Sequence, residues 1–168
     1  MKYLAALAFA GAFLLAGYHA EARTVIAGDS LCVGIAQASG LESVARQSKG
    51  VRDVPEQLGR LPVGATVILC AGTNDASWRL PDFDNAVQRV IDTATQRKQR
   101  LIWIGPINTR LWWDRYSNEA DTKLALRFAP DYVSLRAIGW RRGEHDGVFH
   151  LTPQGYARVW GIVKEKLK

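Results

Sequence analysis

The chain has 168 residues, of which 48% are apolar and 23% are charged. This length allows one domain with a hydrophobic core and excludes two domains of ordinary size, and the composition excludes a disordered chain. Two cysteines exclude a disulfide-dense scaffold and a four-cysteine zinc site. The net charge of +6 leaves open a nucleic-acid binder, a membrane-surface protein and an enzyme for acidic material.

The first 22 residues have the pattern of a secretory signal peptide. Lys2 supplies the positive charge, residues 4–17 are almost entirely apolar, and Ala20-Glu21-Ala22 offers a cleavage site. The apolar run is shorter than the roughly 20 residues that a spanning helix needs. We therefore expect a periplasmic or secreted domain of residues 23–168 without a membrane segment, with an uncleaved anchor as the alternative.

Predicted strands and helices alternate along the rest of the chain. Apolar runs predict strands over residues 24–27, 41–47, 65–71, 101–104 and 132–135. Amphipathic or capped segments predict helices over residues 30–38, 54–60, 82–96, 118–128 and 153–168, with Thr152 as the N-cap of the last. This alternation, without repeats or linkers, predicts one domain with a parallel sheet of about five strands covered by helices on both faces.

Polar residues follow the first predicted strand, as Gly28-Asp29-Ser30-Leu31. Ligands of such sheets bind at the carboxyl ends of the strands. Ser30 at this turn is placed to act as a nucleophile, because the free N–H groups of a helix N-terminus favour developing negative charge. The alternative is that Asp29 or Ser30 only caps the helix.

Two further polar clusters lie at predicted turns. Gly72-Thr73-Asn74-Asp75 ends the third strand, where the Asn74 amide is either an oxyanion donor or part of an ordinary turn. His150 lies just before the last helix, four residues after Asp146. Besides His145 it is the one histidine left after signal cleavage, so a serine nucleophile takes its base from this pair.

In this order and at these positions, the three clusters resemble the SGNH hydrolases, also called GDSL-type esterases or lipases, over residues 24–168. The first two blocks are literal matches, and His150-Leu151-Thr152-Pro153 matches the last. The glycine block is weaker, with Gly50 the best placed and Gly40 the alternative.

The resemblance implies a three-layer α/β/α, flavodoxin-like fold and a serine ester hydrolase that needs neither metal nor organic cofactor. It implies Ser30 as the nucleophile, His150 as the general base and Asp146 as the acid that orients the imidazole. It assigns the oxyanion hole to the backbone N–H groups of Ser30 and Gly50 and the side chain of Asn74.

The spacing of the acid departs from the family pattern. The usual arrangement is Asp-x-x-His, whereas Asp146 precedes His150 by four residues and Gly147 occupies the usual acid position. Either the loop bulges so that Asp146 still reaches His150, or the acid is weaker or comes from elsewhere, with Glu144 a less favoured substitute.

Two cysteines lie near the predicted site, Cys32 on the first helix and Cys70 on the third strand. An oxidising compartment permits a disulfide between them, and two buried free thiols are the slightly favoured alternative.

Three tryptophans, Trp78, Trp112 and Trp113, follow strands at the predicted active-site edge. They either bind substrate, by stacking on a sugar or lining an acyl pocket, or pack the helices of a small domain.

The expected function is that of a secreted, monomeric serine esterase that removes small acyl groups, first of all O-acetyl groups from a carbohydrate. The alternatives are a lysophospholipase or acyl thioesterase for longer chains, and a non-catalytic ligand-binding member of the fold. The cations are grouped in residues 97–100 and 141–142 without a nucleic-acid motif. We therefore expect no nucleic-acid partner, and either a solvated basic face or an attraction to anionic envelope material.

Overall fold

The computed structural model describes residues 23–168 as a parallel sheet between two layers of helices. The predicted signal peptide, residues 1–22, lies outside the described residues. Each strand pairs in parallel with the next. The strands, in their order across the sheet, are β1 (Thr24–Gly28), β2 (Thr66–Cys70), β3 (Arg100–Ile104) and β4 (Tyr132–Val133).

The described sheet has four strands where about five were predicted. The predicted strand over residues 41–47 contributes one parallel bridge, between Ser43 and Ile26 of β1. The Ile26 N–H donates to the Glu42 carbonyl, and the Val44 N–H donates to the Ile26 carbonyl, both at 2.9 Å. Glu42 and Ser43 are exposed, so the segment lacks the two-sided burial that sustains an inner parallel strand. It still occupies the outer place next to β1 that the second strand takes in the flavodoxin order.

The helices follow the prediction closely, except for the shortest ones. Within residues 23–168 they are α1 (Ser30–Ser39), α2 (Val54–Arg60), α3 (Thr73–Ser77), α4 (Phe83–Gln96), α5 (Asp114–Phe128) and α6 (Pro153–Lys166). Helix α3 and a 3-10 turn over Val51–Asp53 were not predicted, because they are too short to show a helical period. None of the helices described is both long and apolar enough to cross a membrane.

Two hydrophobic cores form on opposite faces of the sheet, because successive strand residues point to opposite sides. Val25 and Val67 belong to the core that α2, α4 and α5 cover. Ile26 and Ile68 belong to the core that α1 and α6 cover. This is the three-layer arrangement predicted, and it brings the starts of α1 and α6 to one edge of the sheet.

The two cysteines form a disulfide, so the favoured expectation of two free thiols is wrong. Cys32 of α1 and Cys70 of β2 are both fully buried, with their Cα atoms 5.3 Å apart. The parallel register of β1 and β2 sets this distance, which lies within the range a disulfide requires. The bond fastens the helix that begins at Ser30 to the strand that precedes Asn74.

Candidate active site

Ser30 lies where β1 ends and α1 begins. Gly28 has φ +122°, and a Cβ there would lie 2.0 Å from the Cys70 carbonyl oxygen, so the turn requires glycine. Asp29 caps α1, since its Oδ1 accepts the N–H of Leu31 at 2.9 Å. The capping function therefore belongs to Asp29, and the serine hydroxyl is left for another partner.

That partner is His150. Ser30 Oγ and His150 Nε2 are 3.0 Å apart although 120 residues separate them in the chain. They meet because α1 and α6 pack side by side and His150 lies just before α6. Thr152 fixes the start of α6, where its Oγ1 accepts the N–H of Gly155 at 3.3 Å. The distance is that of a nucleophile and its general base.

Asp146 lies beside the imidazole at the distance of an ion pair. Its Oδ2 is 3.7 Å from His150 Nδ1, which is too long for a hydrogen bond. Its Oδ1 accepts the backbone N–H groups of Val148 at 2.7 Å and His150 at 3.0 Å. Gly147 takes φ +88° between them, so the loop bulges at glycine to accommodate the extra residue.

The Asp146 carboxylate is held in its charged form. Partial burial raises its pKa, but the N–H groups of Val148 and His150 and the charges of His145 and His150 outweigh burial, so the pKa lies below its ordinary value. An ionised carboxylate beside His150 stabilises the imidazolium that forms when the histidine accepts a proton.

Glu144, the less favoured substitute for this acid, is occupied elsewhere. Its buried carboxylate pairs with Arg158 and accepts the backbone N–H of Arg141 at 2.7 Å. It therefore takes no part in the Ser30–His150 pair.

The structure brings Asn74 and Gly50 together near the Ser30 turn. Asn74 Nδ2 donates to the Lys49 carbonyl at 2.8 Å, which leaves its second N–H for another acceptor. The Gly50 N–H donates to Asp53 Oδ2 at 2.9 Å, so a substrate oxygen would share this donor with Asp53. The Ser30 N–H belongs to the first turn of α1, where backbone donors have no intrahelical acceptor.

Gly50 lies against the residues that follow β2, whereas the alternative Gly40 does not. A Cβ on Gly50 would lie 2.8 Å from the Trp78 ring and 2.9 Å from Asp75 Oδ1, so these groups approach the bare backbone. Gly40 instead ends α1, ten residues after Ser30, with nothing within 4 Å of its Cβ position.

Two buried polar side chains hold the backbone of the site, a role that the sequence analysis gave to neither of them. Gln57 Oε1 accepts the Gly28 N–H at 2.5 Å, and its Nε2 donates to the Gly28 carbonyl at 3.1 Å. Asp75 accepts the Val51 N–H with both oxygens, at 3.0 and 3.1 Å. The signal for Gln57 was available, because a lone polar residue interrupts the apolar stripe of α2 beside Leu58.

Asp29 is a buried acid next to Ser30. It is 1% exposed, and its Oδ2 has no hydrogen-bond partner among residues 23–168. Burial raises its pKa to about 7, with the charge of Asp75 adding to the rise and the N–H of Leu31 opposing it. Burial also raises the pKa of Asp75.

Trp78 and Trp112 present exposed rings at this edge of the sheet, 40% and 63% exposed. The Arg52 guanidinium lies 5.0 Å from the centre of the Trp78 ring, and that of Arg79 lies 5.2 Å from the Trp112 ring. Both rings are therefore accessible to a substrate.

Trp113 is buried, as the packing alternative for this residue expects. It is only 7% exposed, and its ring lies 6.4 Å from that of Phe149. The Phe149 ring in turn lies 4.6 Å from that of His150. Trp113 therefore supports the loop that holds the histidine.

Comparison with solved structures finds the same fold in GDSL-type proteins. A G-D-S-L family protein from Desulfitobacterium hafniense DCB-2 is 16% identical, with 86% of this chain and 99% of that chain covered and a TM-score of 0.65. A GDSL-like lipase from Bacteroides thetaiotaomicron VPI-5482 is 14% identical, covering 86% of this chain and 87% of that chain, with a TM-score of 0.63. A member of the lipolytic G-D-S-L family from Veillonella parvula DSM 2008 is 14% identical, covering 85% and 96%, with a TM-score of 0.60.

These likenesses establish the class of fold. No family model matches the chain, and no curated protein matches its sequence. The chain shares its fold with these G-D-S-L proteins, so the fold implied by the resemblance of the three sequence blocks is confirmed.

Proposed function

We propose that this protein is a secreted serine esterase, with Ser30 as nucleophile and His150 as general base. The observation that carries the proposal is the 3.0 Å contact between Ser30 Oγ and His150 Nε2 at the carboxyl edge of the sheet. The Asn74 amide nearby supplies an oxyanion donor, and the Asp146 carboxylate faces the imidazole. The shared fold with lipolytic G-D-S-L proteins adds support.

In the acylation step, Ser30 Oγ attacks the ester carbonyl carbon while His150 Nε2 takes the hydroxyl proton. The carbonyl electron pair moves to oxygen, and the N–H of Ser30 and the free N–H of Asn74 stabilise that oxyanion. Collapse of the intermediate breaks the bond to the alcohol oxygen, which receives the proton from His150. An acyl-serine and a free alcohol result.

In the deacylation step, a water molecule gives a proton to His150 and attacks the acyl-serine. The second tetrahedral intermediate expels Ser30 Oγ, which recovers its proton from His150, and the carboxylic acid leaves. Asp146 stabilises the imidazolium in both steps by charge, from its position 3.7 Å from Nδ1.

The proposed acyl group is small, and an O-acetyl group on a carbohydrate fits best. The exposed Trp78 and Trp112 rings offer flat apolar faces to a sugar.

The test compares Ser30→Ala with Ser39→Ala, which alters a serine at the far end of the same helix. Ser30→Ala is expected to lower kcat on p-nitrophenyl acetate by about 10⁴-fold or more and to abolish labelling by a fluorophosphonate, while Ser39→Ala keeps both. Absence of hydrolysis and labelling in the wild type would instead favour a non-catalytic binding protein. A preference for octanoate or palmitate esters would favour the lysophospholipase or thioesterase alternative.

Secretion is tested separately. Expression of the full chain should give a periplasmic or extracellular product whose N-terminal residue is Arg23. An intact Met1 in the membrane fraction would favour the uncleaved anchor.

A further inference from the structure

A cleft of about 360 Å³ adjoins the loop that carries Asp146 and His150. Its walls come from the loop after β3, at residues 108–110, and from residues 140–147. His145 and Gly147, the immediate neighbours of Asp146, both line it. Its volume lies within the range of small-molecule sites and is sufficient for a group of sugar size.

The cleft is cationic. Arg110, Arg141 and Arg142 line it, and none of them takes part in an ion pair within the part of the chain that the structure describes. Arg100, in the other basic group, instead forms a two-point pair with Asp131. The guanidinium groups of residues 110, 141 and 142 are therefore without an ion-pair partner among residues 23–168.

The carboxylates nearest in the chain, Glu144, Asp114 and Asp146, all have other partners. Asp146 faces the two histidines and accepts the loop N–H groups. Glu144 is buried and paired with Arg158. Asp114 forms a two-point pair with Arg136, at 2.7 and 2.9 Å. Each of these acids serves the fold, and the three cleft arginines remain for an external anion.

The same cleft holds an aromatic ring and an imidazole, each positioned by a hydrogen bond. The Trp140 indole N–H donates to Asn108 Oδ1 at 3.1 Å, which orients the ring. His145 Nδ1 accepts the Gly147 N–H at 2.8 Å, which holds the imidazole against the loop.

We propose that this cleft, hereafter the arginine cleft, binds a carboxylate-bearing sugar, so that the ester cleaved at Ser30 belongs to an O-acylated polyuronate. Guanidinium groups bind carboxylates through paired N–H donors. An oriented indole ring beside them suits the apolar face of a pyranose, and the amide of Asn108 suits its hydroxyl groups. A small inorganic anion would use only the arginines and leave the aromatic ring unexplained.

The arginine cleft is connected to the catalytic pair through adjacent groups. His145 Nδ1 lies 3.5 Å from Asp146 Oδ1, and Asp146 Oδ2 lies 3.7 Å from His150 Nδ1. A polymer with one sugar in the cleft therefore has its neighbouring sugars beside the catalytic loop. This substrate assignment rests on the proposed esterase activity, whereas sugar binding in the cleft does not.

Binding is tested without any hydrolysis, by calorimetry of the wild-type protein with a de-acetylated oligogalacturonate and with its carboxyl-reduced, neutral counterpart. The acidic oligomer is expected to bind at least about tenfold more tightly. Arg141→Ala/Arg142→Ala should weaken its binding at least about tenfold, and Arg110→Gln should weaken it as well. The control Arg60→Ala/Lys98→Ala removes two positive charges at the opposite edge of the sheet and should leave the affinity within about twofold.

Three results would overturn the assignment. These are equal affinity for the acidic and neutral oligomers, equal weakening by the two double variants, and tighter binding of poly(glycerol phosphate), which would make the cleft a phosphate site. Circular dichroism of each variant shows that it is folded, as expected for exposed arginines.

The substrate assignment is tested by acetyl release from O-acetylated polygalacturonate and from its carboxyl-reduced form. The assignment is supported if kcat/KM is higher for the acidic polymer and if Arg141→Ala/Arg142→Ala lowers that value at least about tenfold. Equal kcat/KM values for the two polymers would overturn the substrate assignment without contradicting the esterase activity. Uronate binding by a protein that hydrolyses no ester overturns the esterase and the substrate assignment, and retains the arginine cleft as a binding site.

Discussion

The Asp146 carboxylate lies beside the His150 imidazole, even though the chain has one residue more between them than the usual Asp-x-x-His spacing. Its Oδ2 lies 3.7 Å from Nδ1, while its Oδ1 accepts the backbone N–H of His150 itself. Asp146 thus has two functions, which are to shape the loop and to place a negative charge beside the base. The two functions are separable by mutation.

Asp146→Asn keeps an oxygen acceptor for the loop N–H groups and removes the charge. We expect kcat to fall by about 10²-fold, less than the roughly 10⁴-fold seen where the aspartate hydrogen-bonds the histidine directly. The melting temperature should change little, because the loop keeps its acceptor. Steady-state kinetics on p-nitrophenyl acetate and thermal unfolding give the two readouts.

Asp146→Ala removes both functions. We expect a loss of kcat at least equal to that of Asp146→Asn, with an additional loss of about 1–3 kcal/mol in the free energy of unfolding from the unpaired loop N–H groups. A kcat near the wild-type value in both variants would remove Asp146 from the mechanism.

Asp29 makes the stability depend on pH in the direction opposite to a salt-bridged acid. Its pKa is about 7 in the folded protein against 3.8 for an ordinary aspartate, so the folded state retains a proton that the unfolded state loses. The contribution of Asp29 to stability is complete below pH 4, declines as the pH rises to about 7 and is constant above it.

Asp29→Asn keeps the cap and carries no charge at any pH. Its free energy of unfolding, relative to wild type, should therefore rise between pH 4 and pH 8, by at most roughly 4 kcal/mol. Urea unfolding at several pH values measures the difference. Parallel curves for the two proteins would show that Asp29 has no raised pKa.

The Cys32–Cys70 disulfide closes a segment with a sequence separation of 38. A bond across a segment of this length is expected to stabilise the fold by about 4 kcal/mol, chiefly by restricting the unfolded chain. Cys32→Ala/Cys70→Ala should show this loss in urea unfolding. A reductant should destabilise the wild type and leave the double variant unchanged, and a reductant-insensitive wild type would exclude the bond.

Gly34 sets the distance between α1, which begins at Ser30, and α6, which follows His150. A Cβ on Gly34 would lie 2.2 Å from the Tyr156 ring of α6. Gly34→Ala is expected to cost about 1–3 kcal/mol of stability by overpacking and to lower kcat as the two helices separate.

The matched control is Gly161→Ala on α6, where nothing lies within 4 Å of the added Cβ. It should stabilise the protein by about 0.5–1 kcal/mol, as alanine does in place of a helical glycine, and leave kcat unchanged. Equal effects of the two substitutions would show that helix propensity alone matters at Gly34.

The adjacent tryptophans Trp112 and Trp113 should respond in opposite ways. Trp113→Ala is expected to destabilise the protein by about 3–5 kcal/mol, because the ring is buried against Phe149. Trp112→Ala should leave stability nearly unchanged and lower kcat/KM for an acetylated glycan more than for p-nitrophenyl acetate. Thermal unfolding and the ratio of the two kcat/KM values separate these outcomes.

The positions of Ser30 and His150 relative to the strands and helices were predictable because the turns beside them restrict residue type. Gly28 must be glycine, Asp29 is a typical N-cap, and Thr152 marks the start of the last helix, so Ser30 and His150 lay at recognisable element ends. Apolar runs and helical periods likewise gave β1 to β4 and the longer helices. Helix α3 was missed because five residues are too few to show a period.

The sequence by itself therefore determined the fold class and the order of the strands' end loops, since these depend on local backbone chemistry and hydrophobic pattern. The resemblance of its motifs also singled out Ser30 and His150 as the pair proposed to react. Only the tertiary structure decided the distance from Asp146 to His150, the Cys32–Cys70 bond and the different exposures of Trp112 and Trp113. It also gathered three arginines from two distant loops into one cleft. The reason is physical, because these relationships are distances between elements far apart in the chain, and packing of the helices on the sheet sets them.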